Sequence, residues 1–486
     1  MKNIYEVVTT LSDTKGMNAK KALLEGLEPA LKSDVQKYVR FALDPRLSLY
    51  QTLSDDVRVK LNGMQLAGTP KRTLLEALDY VSGMASLGET RGDSGKMLLS
   101  RVRSRLENDE ERELFDRFVD RNWKTGIGIK SINALWPNTL AYSPYQRCEG
   151  GKTKFLDALD WANGVISQLK SDGMFLNVYH HIIDGCIPTV EFTSREGNVL
   201  DSGSLAGLRA DVFEMLKDTP TAFGHYLHGE ALVWDAEGNL LPREQGNGKL
   251  NSIIQTGEDL PEGYVVRFRV WDIIPETVFE KSLSKKEAIG AGYADRWEYV
   301  QDLYASAGKL EHIQLQESKI VYSLEEAMAH FQECLERGEE GTIVKCPNGL
   351  WYDGTSQQML KLKLEVDCDL VIVGINEGDP NGKHADTFGS LQCESSCGML
   401  AVGVSGMPDN LRQEIYDNFE LWKGSIVAIK SNGIQENSAG NEVISLFLPR
   451  LASERRLDKH EADSLERIRE IQAATIKNGG KTPANV

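Results

Sequence analysis

A lysine that acts as a nucleophile must spend part of its time unprotonated, which calls for partial burial or nearby positive charge. In SQLKSDGMFLN, residues 167–177, Lys170 sits at the end of an apolar run, with Asp172 and Gly173 just after it. The glycine lets the backbone approach a ligand closely, and the aspartate can hold an amine, a ribose or a metal ion. By itself Lys-x-Asp-Gly is a weak signal, and its alternative is an ordinary turn with a solvated lysine. Further groups follow in order. TSREG places Arg195 after a strand-like run, and LHGEALVWD places Glu230 on the next. FRVWDIIP offers Phe268 and Trp271, and EEGTIVK offers Glu340, Gly341 and Lys345. In MLKLKLE, Lys361 and Lys363 are two apart, so a strand would point both to one face. RRLDK supplies Arg456, Asp458 and Lys459. The lysine thus does not stand alone: these features accompany it in order along the chain.

The elements that must position these groups change character along the chain. Residues 1–145 read as helical: AKKALLEGLEPALKSDVQKYVRFALD and SGKMLLSRVRSRLENDEERELFDRFVDRNW carry apolar residues at helical spacing, with breakers such as LGETRGDSG between them. Pro137, Pro144 and the glycines at 150–151 mark a linker. Strand-like runs then mix with helical ones such as LEEAMAHFQECLERG, which indicates an α+β domain over 146–364. From 365 to 459 about five short, turn-separated strands suggest a small barrel. Residues 460–486 read as a polar helix and a disordered tail.

The chain has 486 residues and a net charge of −17. The charge is uneven: residues 1–145 hold 22 Lys+Arg against 19 Asp+Glu, and the remainder 33 against 53. A local basic face can therefore still meet phosphates. No stretch is apolar enough to span a bilayer or to serve as a signal peptide, so a cytoplasmic protein is expected. The seven cysteines are scattered without zinc-site spacing and read as reduced structural thiols.

Taken in order, the motifs resemble those of the covalent nucleotidyltransferases, most closely the ATP-dependent DNA ligases. FRVWDIIP, LKLKLEVDCDLVIVG, LFLP and KSINALWP extend the similarity, over nearly the whole chain, to the ligases of T-even bacteriophages. The resemblance implies an all-α N-terminal DNA-binding domain, a nucleotidyltransferase (adenylation) domain and a C-terminal OB-fold β-barrel. It implies that Lys170 attacks the α-phosphate of ATP and becomes a lysine–AMP phosphoramidate. Gln168, Leu169 and Asp172 would lie on the nucleotide, Arg195 would grip the 5′-phosphate of a nick, and Glu230 would accept from the ribose hydroxyl. Trp271 would stack on adenine, with core packing as the alternative for Phe268. Lys345 would also bind the nucleotide. Glu340, with Glu230, would bind Mg²⁺, and Lys361 and Lys363 would neutralise the α-phosphate. Arg456 and Lys459 would orient pyrophosphate in the first step only, so the barrel must rotate, with LKLKLEVDCD as its hinge. The implied partner is nicked double-stranded DNA, held by a monomer; whether a sliding clamp docks on the tail is left open.

Three segments carry open alternatives. Arg243 and Asn247, in REQGNGKLN, either support the adenine or DNA side or form a plain surface turn. KTGIGIKS, residues 124–131, is either a phosphate contact or a helix connector. Arg450 and Arg455 are either functional or part of an exposed basic stretch. One departure stands out: the family has an arginine where this chain has Phe175, which cannot donate hydrogen bonds to a ribose or a nick. Losing a charged hydrogen bond costs roughly 1.5–3 kcal/mol, so a weakened contact near the ribose is expected unless Asn177 or a water substitutes. Rival readings are an mRNA-capping guanylyltransferase, an RNA ligase, or a nucleic-acid-binding relative without catalysis.

Overall fold

The helical spacing of the first 145 residues is realised in seven helices among the described residues: Ile4–Asp13, Met17–Glu25, Pro29–Leu43, Leu74–Ser86, Gly92–Ser104, Asp109–Val119 and Ile129–Leu135. The computed structural model describes residues 3–51, 71–183, 187–219, 224–378, 383–435 and 443–477; the expected tail beyond residue 477 lies outside them. Side chains at the helix starts satisfy amides that the helix leaves unpaired. Asn3 accepts from Glu6 N, Asn108 accepts from Glu111 N, and Thr73 and Glu76 form a reciprocal capping box. The apolar faces meet in one core that includes Val8, Tyr38, Leu78, Phe115 and Phe118.

Two five-stranded sheets follow. The first has the order β1-β10-β9-β2-β8, from Gln146–Gly150 (β1), Val165–Leu169 (β2), Ser318–Val321 (β8), Gly341–Lys345 (β9) and Gly354–Lys363 (β10). The second has the order β4-β3-β5-β6-β7, from Met174–Ile183 (β3), Ile187–Thr193 (β4), His225–Trp234 (β5), Val265–Pro275 (β6) and Ile313–Leu315 (β7). The expected helix at LEEAMAHFQECLERG is present as Leu324–Glu336. The expected linker departs from expectation in part, because QRCEG is β1, paired parallel to β10. Its partner lies two hundred residues away, and its own residues carry no apolar alternation.

The third sheet has the order β13-β12-β11-β14-β17, from Val366–Glu377 (β11), Phe388–Glu394 (β12), Ala401–Val404 (β13), Ile426–Ser431 (β14) and Arg450–Arg455 (β17). A small two-stranded sheet, Ile434–Gln435 (β15) with Ser445–Leu446 (β16), stands beside it. The sheet curls, and among the described residues its edges meet only at the Ser405–Arg450 bridge, where Leu451 N donates to Ser405 O at 3.0 Å. It is therefore not closed into a barrel by a continuous ladder. The expected C-terminal helix is Leu465–Lys477, which buries Leu465, Ile468 and Ile471. The described cysteines are all free thiols. Among the described residues, no helix is long and apolar enough to cross a membrane.

Candidate active site

The Lys-Ser-Asp-Gly segment is the crossover between the first two sheets: β2 ends at Leu169 and β3 begins at Met174. Gly173 is required there, since a Cβ would lie 2.4 Å from Ala231 O and 2.9 Å from Glu230 Cγ. This close approach lets Gly173 N donate to Glu230 Oε1 at 3.2 Å, while Asn247 Nδ2 donates to Gly173 O at 3.2 Å. The Lys170 amide donates to Gly341 O at 2.9 Å, which seats the nucleophile candidate beside β9. Gly341 has φ +138°, and a Cβ would meet Leu362 O at 2.3 Å. It is paired with Lys363 in the β9–β10 ladder, so Glu340 falls next to that lysine.

The side chains converge accordingly. Glu340 forms ion pairs with both Lys170 and Lys363, and its side chain is 8% exposed. Burial pushes its carboxyl up, but the two ammonium groups hold it below the usual range. Burial and repulsion from Lys170 lower Lys363, against the pull of Glu340. Asp172 pairs with Arg243 at 2.8 Å, and burial and the Glu340 charge raise its carboxyl. Burial raises Glu230 to about 7, although Lys170 and Arg195 oppose the shift. The Glu340 charge thus acts on both Asp172 and Glu230, and carboxylate oxygens are the hard donors that Mg²⁺ takes, although the three do not converge on one point.

A cavity of about 450 Å³ opens on this cluster, lined also by Gln168, Leu169, Arg195, Trp271, Lys345 and Lys361. Trp271 owes its position to a β-bulge: His228 pairs with Asp272 and Gly229 with Val270, so Trp271 is the extra residue. Bulges re-aim side chains in this way. Phe268, by contrast, is fully buried in the core. Below Trp271, Tyr293 OH donates to the Trp271 carbonyl at 2.7 Å, and Lys345 Nζ donates to Tyr293 OH at 2.9 Å. Burial lowers Lys345 to about 8. Asp272 is held by Arg296 through bonds of 2.8 and 3.0 Å, and both are buried. Asp272, Tyr293 and Arg296 were invisible as site residues in the sequence, because only the register of β6 and the packing of the helix Tyr293–Ser306 on it bring them beside the cavity.

The cavity thus brings together Lys170, Asp172, Arg195, Glu230, Trp271, Glu340, Lys345, Lys361 and Lys363. It does not include Arg456 and Lys459. Arg456 donates to Asp369 and Asp458, and Lys459 lies 3.3 Å from Asp369, on the third sheet. That part of the chain reaches the cavity instead through Leu448, while the Phe447 ring lies 4.8 Å from the Arg243 guanidinium. Arg243 is thus built into the site and is no plain surface turn. In 124–131, Lys130 is occupied by an ion pair with Asp353 at 2.9 Å. Phe175 packs among Tyr145, His228 and Trp271, and Asn177 Nδ2 is bonded to Ser143 Oγ at 3.4 Å.

Residues 152–363 match the family model described as ATP dependent DNA ligase domain. The chain is 24% identical over 438 residues to the DNA ligase of Enterobacteria phage T4, covering 82% of this chain and 85% of that protein. It is 23% identical over 448 residues to the DNA ligase of Enterobacteria phage T6, with the same coverage. The solved structure named Pmar-Lig_Pre superposes with a TM-score of 0.65 at 18% identity, covering 94% of this chain and 100% of that one.

Proposed function

We infer that this chain, which belongs to the ATP-dependent DNA ligases, seals nicks in duplex DNA with Lys170 as its nucleophile. The observation that carries the assignment of Lys170 is its placement in one cavity with Glu340, Lys361 and Lys363.

In the first step the Lys170 amine, its proton given up, attacks the α-phosphorus of ATP. The bond to pyrophosphate breaks and a lysine–AMP phosphoramidate remains. Lys361 and Lys363 face the phosphate as charge builds on it, where fixed cations act most strongly. Trp271 stacks on adenine, Gln168, Leu169, Asp172 and Lys345 line the nucleotide, and Glu230 accepts from the ribose. Glu340 and Glu230 would hold Mg²⁺, which supplies positive charge against the phosphate oxygens when bound. In the second step the AMP passes to the 5′-phosphate of a nick, where Arg195 binds the phosphate oxygens as a planar fork. In the third the neighbouring 3′-hydroxyl attacks that phosphate and AMP leaves. Covalent catalysis here divides one hard joining reaction into easier ones.

The same reading divides the chain into a DNA-binding domain (1–145), an adenylation domain (146–364), an OB-fold domain (365–459) and a helix with a tail (460–486). The curled third sheet supports the OB-fold assignment. Arg456 and Lys459 belong to the first step and reach pyrophosphate only after the OB-fold domain turns about the stretch near 361–369. The working form is a cytoplasmic monomer on nicked duplex.

The test is incubation with ATP labelled at its α-phosphate and Mg²⁺, followed by a denaturing gel. Label should stay on the protein and be absent from Lys170→Ala. Label retained by that variant refutes the assignment of Lys170, and label from GTP alone points to capping chemistry instead.

A further inference from the structure

A second cavity, of about 460 Å³, lies between the helical part, at residues 45–51 and 119–121, and the second sheet. It shares Gly173, Phe175 and Arg195 with the nucleotide cavity. Whatever passes from the nucleotide to a duplex end must pass this common wall. Arg195 stands there on the turn after β4, exposed, and among the described residues it enters no ion pair. Its guanidinium lies 4.6 Å from the centroid of the Tyr145 ring.

Tyr145 is itself braced. The Phe175 ring meets it edge-on at 4.8 Å. Its amide donates to Asp353 Oδ1 at 3.3 Å, and its carbonyl accepts from Gly354 N at 3.3 Å. Asp353 in turn accepts from Lys130 Nζ at 2.9 Å and Tyr142 OH at 2.7 Å, so it ties the linker to the helical part. Phe175 brings no charge to the shared wall, where Arg195 is the cation; the Arg147 guanidinium lies farther from the Tyr145 ring, at 5.9 Å, and donates to the Tyr145 carbonyl at 3.4 Å. An exposed arginine has many rotamers, and an aromatic face restricts them through cation–π attraction.

We propose that Tyr145 is a positioning residue that holds Arg195 at the doorway between the two cavities, braced by Phe175 where the family pattern has an arginine. The proposal rests on the reading of Arg195 as the group that binds the nick 5′-phosphate. Tyr145 also lines the nucleotide cavity, so its part in the second step is read against its effect on the first.

Full-length protein carrying Tyr145→Leu, Tyr145→Phe, Arg195→Ala or Tyr145→Leu with Arg195→Ala is charged with labelled ATP. Two single-turnover rates are then read: label arriving on Lys170, and label leaving it for a nicked duplex. Tyr145→Leu should slow transfer to the nick by about tenfold and charging of Lys170 by a clearly smaller factor, and Tyr145→Phe should match the parent in both. In the Arg195→Ala background, Tyr145→Leu should add nothing further. Equal losses in both steps, a Tyr145→Phe as slow as Tyr145→Leu, or additive effects with Arg195→Ala would overturn the role of Tyr145. An Arg195→Ala variant that transfers at the parental rate would instead remove the reading of Arg195, whatever Tyr145→Leu does. Normal charging of Lys170 shows that a variant is folded.

Discussion

Glu340 stands between Lys170 and Lys363 and is ion-paired to both. The same carboxylate therefore restrains the proposed nucleophile and the cation proposed to face the phosphate. In the proposed reaction the phosphate oxygens of ATP would compete with Glu340 for those ammonium groups. Lys363→Met keeps the length of the side chain and removes its charge. It should slow charging of Lys170 by roughly 10²-fold, the usual effect of losing one preorganised charge donor. The rate of label appearance on the protein checks this, and a parental rate would show that Lys363 serves only to neutralise Glu340.

Glu230 gives a prediction with a definite sign. Its carboxyl rises from 4.5 to about 7, chiefly through burial and also through the Glu340 charge. Below pH 4.5 it is protonated in both the folded and the unfolded chain and contributes nothing. As pH rises towards 7 only the unfolded chain ionises freely, so folding is penalised, and the penalty is complete above 7. Glu230→Gln removes that penalty while its amide oxygen can still accept from Gly173 N. The variant should melt above the parent at pH 8 and by a smaller margin at pH 5. Equal margins at the two pH values would show that ionisation of this group costs the fold nothing.

The Asp272–Arg296 pair lies directly under Trp271, with side chains 3% and 5% exposed. Arg296 also donates to the carbonyls of Ala291 and Gly349. Arg296→Met would leave a buried carboxylate without its counter-ion, which costs about 3–5 kcal/mol. A lowered urea midpoint is expected, partly restored when Asp272→Asn is added. A double variant no more stable than the single one would mean that the bonds to the two carbonyls matter more than the charge pair.

The part of the site legible in the sequence is the part whose chemistry is fixed by residue type and short spacing. Lys170 at a strand end, and Lys361 with Lys363 on one strand face, needed only local periodicity. Trp271 was visible as a candidate, but the bulge that re-aims it depends on how β5 and β6 pair. Strand β1 and the Asp353 junction were not legible, because their partners lie about two hundred residues away and their local sequences carry no alternation or cap. The sequence leaves Arg243 between two roles, and its ion pair with Asp172, its place in the cavity lining and the Phe447 ring against it put it in the candidate site. The barrel was expected from strand count, and strand count does not say whether the edges of a curled sheet close.

The position of Arg456 turns on domain orientation, which no local pattern encodes. It is bound to Asp369 and Asp458, and this holds its guanidinium above its usual proton affinity, first through the bond to Asp458. In this arrangement the turn between β16 and β17 offers Leu448 to the Lys170 cavity, and Arg456 does not line it. If Arg456 serves only the step that releases pyrophosphate, its loss must separate the steps cleanly. Arg456→Ala should charge Lys170 at least tenfold more slowly than the parent, roughly the effect of one lost charged contact. It should still close a nick whose 5′-phosphate already carries AMP, because that reaction needs no pyrophosphate to be oriented. Sealing of the pre-adenylated nick in the absence of ATP is the deciding measurement. Failure of both reactions would place Arg456 at the DNA-bound site as well, and unimpaired charging would exclude it from the first step.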